Sequence, residues 1–110
     1  MEIHEIILQQ LGGRRFTVMT GSKNFIFAKE SEEHPNPWLR MNLARNSSKC
    51  NRLKIYYNTG LDTYTMEFYK QTISKKDFDV KITHKEVFEN VYCDQLQEIF
   101  TQKTGLYTSL

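Results

Sequence analysis

The chain has 110 residues, of which 39% are hydrophobic, 13% aromatic and 25% charged, and its formal net charge is +2 at pH 7. This length is typical of a single domain, which can bury roughly two-thirds of the surface that the unfolded chain exposes. The seven Phe and six Tyr residues exclude a disordered chain, and a net charge of +2 is too small to indicate a polyanion partner by itself.

The sequence predicts a soluble intracellular protein. Cys50 and Cys93 are far apart in no paired spacing, which favours free thiols in a reducing compartment. The first residues, MEIHEIILQQ, lack the basic start and long apolar run of a signal peptide. No window approaches the roughly 20 apolar residues that a membrane-spanning helix needs.

The first third of the chain is predicted to form a helix and a β-hairpin. Glu2–Leu11 has apolar residues on one helical stripe, and Gly12-Gly13 is expected to end the helix. The stripe consists of Ile3, Ile6, Ile7 and Leu11. Arg14–Thr20 and Asn24–Ala28 alternate as strands do, with a turn signal at Thr20-Gly21-Ser22 between them. Lys29–Pro37 is predicted to be a polar loop.

The central stretch, 39–57, is predicted to form two half-buried strands joined by the loop NSSKCN. Leu39, Met41 and Leu43 alternate with polar residues, and Leu53 and Ile55 do the same. Two further strands are predicted at Thr63–Lys70 and Phe78–Thr83, and a helix at 90–104 that ends at Gly105. The expected fold class is α+β: an N-terminal helix, a mostly antiparallel meander of about five or six strands, and a C-terminal helix packed on one face.

The charge along the chain is more informative than its total. Residues 34–61 contain five Lys or Arg and no acid, whereas the segments before and after carry net charges of −1 and −2. Strand alternation places several of these cations on the outward face, with aromatic and amide side chains beside them. The candidate binding residues are Trp38, Arg40, Asn42, Arg45, Lys49, Arg52, Lys54 and Tyr56.

Three interpretations of this basic segment remain open. Cations at this spacing can neutralise phosphates, and exposed rings can stack on bases, which together favour a nucleic-acid surface. The same face can bind an acidic protein. It can also serve solubility alone, since lysines on strands deter unwanted strand pairing.

The other motifs favour structure over chemistry. TGSKN, at residues 20–24, lacks the spacing of a phosphate loop and is predicted to be a hairpin turn. Arg14 and Arg15 are predicted to be exposed, and Cys93 to be a buried structural thiol. His4, His34 and His84 show no close ligand pairs with the cysteines, so we predict no metal and no cofactor. Since no catalytic set is present, we predict no catalytic residue and no enzymatic activity.

Four blocks of the sequence resemble short uncharacterised proteins of bacteriophages and integrated mobile elements of bacteria. They are LGGRRFTVMTGSKNF (11–25), LRMNLARNSSKCNRLKI (39–55), DTYTMEFYK (62–70) and YCDQLQEIFTQKTGLYTSL (92–110). The resemblance covers most of the chain, and the family varies at 29–37 and 71–88. It implies a small accessory protein in the cytoplasm of a bacterial host and implies no activity or functional residue.

Two functional hypotheses follow. The first is a non-enzymatic module of a phage or mobile element that binds nucleic acid, or a nucleic-acid-bound complex, through the basic sheet face. The alternative is a protein–protein inhibitor of a host defence nuclease, similar in role to an anti-CRISPR protein, whose acidic loop 30–33 mimics phosphates. A homodimer is compatible with both.

Overall fold

A computed structural model describes residues 2–29 and 36–106 and confirms the α+β class. The helices are α1 (Ile3–Leu11), α2 (Gly13–Thr20) and α3 (Leu96–Thr104), with a 3₁₀ turn at Cys93–Gln95 before α3. The strands are β1 (Lys23–Ala28), β2 (Trp38–Asn42), β3 (Arg52–Asn58), β4 (Thr63–Ile73) and β5 (Val80–Val91). They form one antiparallel sheet in chain order, so β1 and β5 are its edges.

The main correction concerns Arg14–Thr20, which is helix α2 and not a strand. Gly12 takes a φ of 128°, a conformation open to glycine, and there the chain turns from α1 directly into α2. Phe16 and Thr20, four residues apart, form the buried side of α2, whereas Val18 is 72% exposed. Phe16 and Val18 therefore do not share a face, and the strand predicted from their alternation is wrong.

Two other predictions are also wrong. TGSKN is not a hairpin turn, because Thr20 ends α2, Gly21 follows it and Lys23 begins β1. A buried hydrogen bond of 2.8 Å joins the Thr20 and Ser22 hydroxyl oxygens there. The predicted strand Phe78–Thr83 instead begins at Val80 and continues to Val91, and Phe78 lies in the turn before it. Asn90 and Val91, which were predicted as helix, therefore belong to β5.

The core lies between the sheet and the three helices. Alternation correctly predicted the core residues of β2, β3 and β4, whereas Val91 of β5 was predicted to lie in a helix, and the three helices contribute most of the rest. The ring of Phe100 packs edge-on against Phe16 at 4.9 Å and lies 6.4 Å from the Phe68 ring, so α2, α3 and β4 meet there. The buried strand residues include Leu39, Met41, Leu53, Ile55, Tyr64, Met66 and Phe68.

The β2–β3 loop is fixed to the end of α3. Ser47 donates two hydrogen bonds to the carbonyl oxygen of Thr104, from its backbone N–H at 3.1 Å and its hydroxyl at 2.9 Å. Gly105 ends α3 with a φ of 76°, as predicted for a residue after a helix C-terminus. These bonds supply a partner to one of the last carbonyls of the helix.

Both cysteines are free thiols, but the prediction that Cys93 is buried is wrong. Cys93 is exposed, because it lies in the 3₁₀ turn before α3, whereas Cys50 is buried. None of the helices in the described part of the chain is long and apolar enough to cross a membrane.

Candidate nucleic-acid interface

The face of the sheet opposite the helices (the outer face) carries six of the eight candidate residues. Alternation places them on this face because their neighbours Leu39, Met41, Leu53 and Ile55 are buried on the other. The register sets them in three adjacent cross-strand pairs. The pairs are Trp38 with Tyr56, Arg40 with Lys54, and Asn42 with Arg52.

The other two candidates, Arg45 and Lys49, lie exposed on the β2–β3 loop. Ser47 of this loop is hydrogen-bonded to the end of α3, which packs on the inner face. These two cations therefore lie on the loop and not on the two strands that carry the other six candidates.

Two cations lie directly opposite each other at the centre of the outer face. Arg40 on β2 pairs with Lys54 on β3, and like charges in that position destabilise a sheet. Within residues 2–29 and 36–106, neither Arg40 nor Arg52 forms a salt bridge. On its other side Lys54 pairs with Glu67 of β4, which offsets part of this repulsion, and an anion bound between β2 and β3 would relieve the rest.

Aromatic rings partly compensate the charge of Lys54. Its Nζ atom lies 4.3 Å from the centre of the Trp38 ring and 4.8 Å from that of Tyr56. Each contact is a cation–π interaction, worth about 0.5–2 kcal/mol depending on how dry it is. The ammonium group thus holds two neighbouring rings in fixed positions on the face.

A polar chain continues from Tyr56 toward β5. The Tyr56 phenol lies close enough to the carboxylate of Glu67 to interact with it, and Lys85 Nζ lies 3.7 Å from the same carboxylate. Burial raises the pKa of the Tyr56 phenol, and the interaction with the negatively charged Glu67 raises it further. The phenol therefore stays protonated throughout the neutral pH range.

These side chains border an open pocket of about 210 Å³ on the outer face. It is lined by Lys54, Tyr56, Glu67, Tyr69, Ile82 and Lys85. Alternation along Thr63–Lys70 places Glu67 and Tyr69 on the outward side of that strand, but the sequence alone does not connect them with the basic residues. Lys85 is not found by alternation because it follows a β-bulge, at which His84 has a φ of 55° and the alternation shifts.

The remaining motifs do not gather into a second site. Lys23 is the strand partner of Asn42, which puts it beside the outer face and not in a turn. Arg14 and Arg15 are exposed on α2, as predicted. In the described part of the chain, no three His, Cys, Asp or Glu side chains are grouped as metal ligands.

No protein-family model, curated protein or solved structure matches this chain. The resemblance to proteins of phages and mobile elements therefore stays a prediction.

Proposed function

We propose that the protein binds single-stranded nucleic acid on the outer face of its sheet. The observation that carries the proposal is the fixed arrangement of Trp38 and Tyr56 beside Arg40, Arg52 and Lys54 on a face that the helices leave open. Rings give bases a surface to stack on, and cations neutralise the phosphates that link them.

The shape of the face favours a single strand over a duplex. A sheet presents its side chains across a broad surface, which suits unstacked bases lying flat against aromatic rings. Reading a duplex by base contacts instead requires an element narrow enough to enter a groove, and the outer face is too broad for that.

The contacts of Lys54 are compatible with this role. The ammonium group of Lys54 covers part of the Trp38 and Tyr56 rings. A bound phosphate would draw it away from them, toward the backbone of the nucleic acid. The rings would then be open to bases, at the cost of the two cation–π contacts. Binding should therefore depend on Lys54 for its charge, and the loss of the two cation–π contacts should reduce the net gain from this residue.

Charge removal tests the proposal. Changing Arg40, Arg52 and Lys54 together to Ser should abolish binding of a fluorescein-labelled single-stranded oligonucleotide, measured by fluorescence anisotropy. The fold should persist, because the side chains lie outside the buried core, and thermal unfolding followed by circular dichroism checks this.

A charge-matched pair of variants separates position from net charge. The double variant Arg40→Ser/Arg52→Ser removes two charges from the outer face, and Arg14→Ser/Arg15→Ser removes two from α2. We expect a large loss of affinity in the first and little change in the second. Equal losses in both, or full affinity after the triple change, would refute the proposal.

The alternative role, inhibition of a host defence nuclease, stays a prediction. Its acidic residues Glu30, Glu32 and Glu33 lie outside the described residues. An inhibitor needs its protein target, whereas the proposed function needs only the oligonucleotide. Charge reversal of the three acids should leave oligonucleotide binding intact if the proposal holds.

A further inference from the structure

The hairpin of β4 and β5 extends beyond the rest of the sheet. β3 pairs with β4 only as far as Tyr69, whereas the pairing of β4 with β5 continues to Ile73 and Val80. The two-stranded extension at residues 70–83 (the arm) is exposed at every position from Thr72 to Ile82. Such a ribbon gains little stability by itself, so its length calls for another explanation.

One side of the arm continues the outer face. Ile82 pairs with Gln71, and Val80 with Ile73, in register with the outward residues of β4. Ile73, Val80 and Ile82 are 59%, 58% and 55% exposed. Because Ile82 also lines the pocket beside Tyr56, an apolar strip runs from the proposed site along the arm.

The tip of the arm presents a phenylalanine in an unfavourable conformation. Phe78 is 80% exposed and has a φ of 59°, a region that bulky residues rarely occupy and that Gly or Asn would fill without strain. Two backbone hydrogen bonds of 2.9 Å, from Ser74 to Asp79 and from Phe78 to Ser74, hold the turn. The Phe78 ring supports neither the turn nor the core, which points to an external contact.

The charges of the arm fit a nucleic acid. Lys75 and Lys76 lie at its tip with Asp77 and Asp79, and Lys70 and Lys81 extend from the side opposite the apolar strip. Asp77 takes part in the turn itself, because its carboxylate accepts a hydrogen bond of 3.3 Å from the Asp79 N–H. Its interaction with the Ser74 hydroxyl is the main cause of its lowered pKa. The lysines remain in excess, which complements phosphates and disfavours a purely apolar protein pocket.

We infer that the arm extends the binding site for single-stranded nucleic acid and that the Phe78 ring stacks on a base at the tip. The inference rests on the proposed function of the outer face. The tip lies five residues along β4 from Tyr69, or about 17 Å at the rise of a strand. An oligonucleotide bound to the outer face reaches Phe78 only if it is several nucleotides longer than the part that covers the outer face.

Oligonucleotides of two lengths test the inference. Wild-type protein should bind a single strand of about 16 nucleotides more tightly than one of about six, and Phe78→Asn should weaken only the longer complex, by about fivefold or more. Asn removes the ring and accepts the left-handed conformation, so the turn is kept. Anisotropy titrations measure both affinities.

Leu61→Asn is the matched control. Leu61 is 69% exposed and lies at the β3–β4 turn, at the opposite end of β4 from Phe78. Its replacement should leave both affinities unchanged. If Phe78→Asn binds the long strand as tightly as the wild type, the inference is overturned while the proposed function stands; if the wild type binds neither length, both fail.

Discussion

At the scale of single residues, Trp38 offers a direct reporter, since it is the one tryptophan in the chain. Its ring lies on the outer face under the Lys54 ammonium group. Because stacking on a base changes the surroundings of the indole, saturating single-stranded oligonucleotide should alter the intensity of its fluorescence. Trp38→Ala should weaken binding by about 1–3 kcal/mol. Unchanged emission at saturation would show that bases do not stack on this ring.

The phenol of Tyr56 makes stability depend on pH under alkaline conditions. Its folded-state pKa is raised, chiefly by burial and then by Glu67, whereas the unfolded chain loses the proton near pH 10. The unfolded state therefore binds fewer protons above pH 10, and the free energy of unfolding falls as the pH rises through the folded-state pKa. Below pH 10 the raised pKa of Tyr56 makes its full contribution to the free energy of unfolding.

Tyr56→Phe should make this alkaline fall shallower, because the group that titrates is gone. The variant should also be less stable at neutral pH, by up to about 1 kcal/mol, through loss of the interaction between the phenol and Glu67. Urea unfolding between about pH 8 and 11 measures both effects. If the free energy of unfolding falls as steeply with pH in the variant as in the wild type, groups other than Tyr56 cause the fall.

At the scale of elements, the end of α3 depends on Gly105. A Cβ at this position would lie 3.0 Å from Ser47 Oγ, and the φ of 76° is strained for any other residue. Gly105→Ala should therefore lower stability by about 1–2 kcal/mol and the Tm by several degrees.

Gly60→Ala is the control for this change, because a Cβ there meets no atom within 4 Å and the φ of Gly60 is not left-handed. Its Tm should stay close to that of the wild type. Equal thermal stability of the two variants in calorimetry would contradict the role assigned to the Ser47 contact.

The elements that were predicted correctly are those with one consistent period. β2, β3 and β4 alternate without interruption, so the sequence alone predicted which side chains share the outer face and which enter the core. In α2, Phe16 and Val18 imitate a strand, and only the four-residue spacing of Phe16 and Thr20 reveals the helix. In β5, bulges and the left-handed residues His84 and Asn90 break the alternation, because register shifts depend on pairing with β4 and not on local sequence.

At the scale of the whole molecule, the layers explain why none of the helices in residues 2–29 and 36–106 covers one broad side of the sheet. The fold is a slab of one sheet and one layer of helices, with extents of 41 × 40 × 21 Å. All three helices pack on the inner face, so the outer face forms the other broad side. The sequence predicted this surface but not its extension across β4 and β5, since that depends on the register of two strands distant from residues 38–56.

The uneven distribution of charge matters more than its total of +2. The outer face of β2 to β5 brings together four cations and one carboxylate, which are Arg40, Arg52, Lys54, Lys85 and Glu67. A surface of this kind binds phosphates with an affinity that falls steeply as salt is added, since each contact releases counterions. The salt dependence of the affinity therefore measures the number of phosphate contacts made by the whole outer face.

The most direct test of nucleic-acid binding is an anisotropy titration of wild-type protein with labelled single- and double-stranded oligonucleotides, from low to physiological salt. We expect the single strand to bind more tightly, with a plot of log affinity against log salt whose slope is about −3 if all four cations contact phosphates. Absence of binding even at low salt, or binding that salt does not weaken, would contradict the assignment of the outer face to nucleic acid.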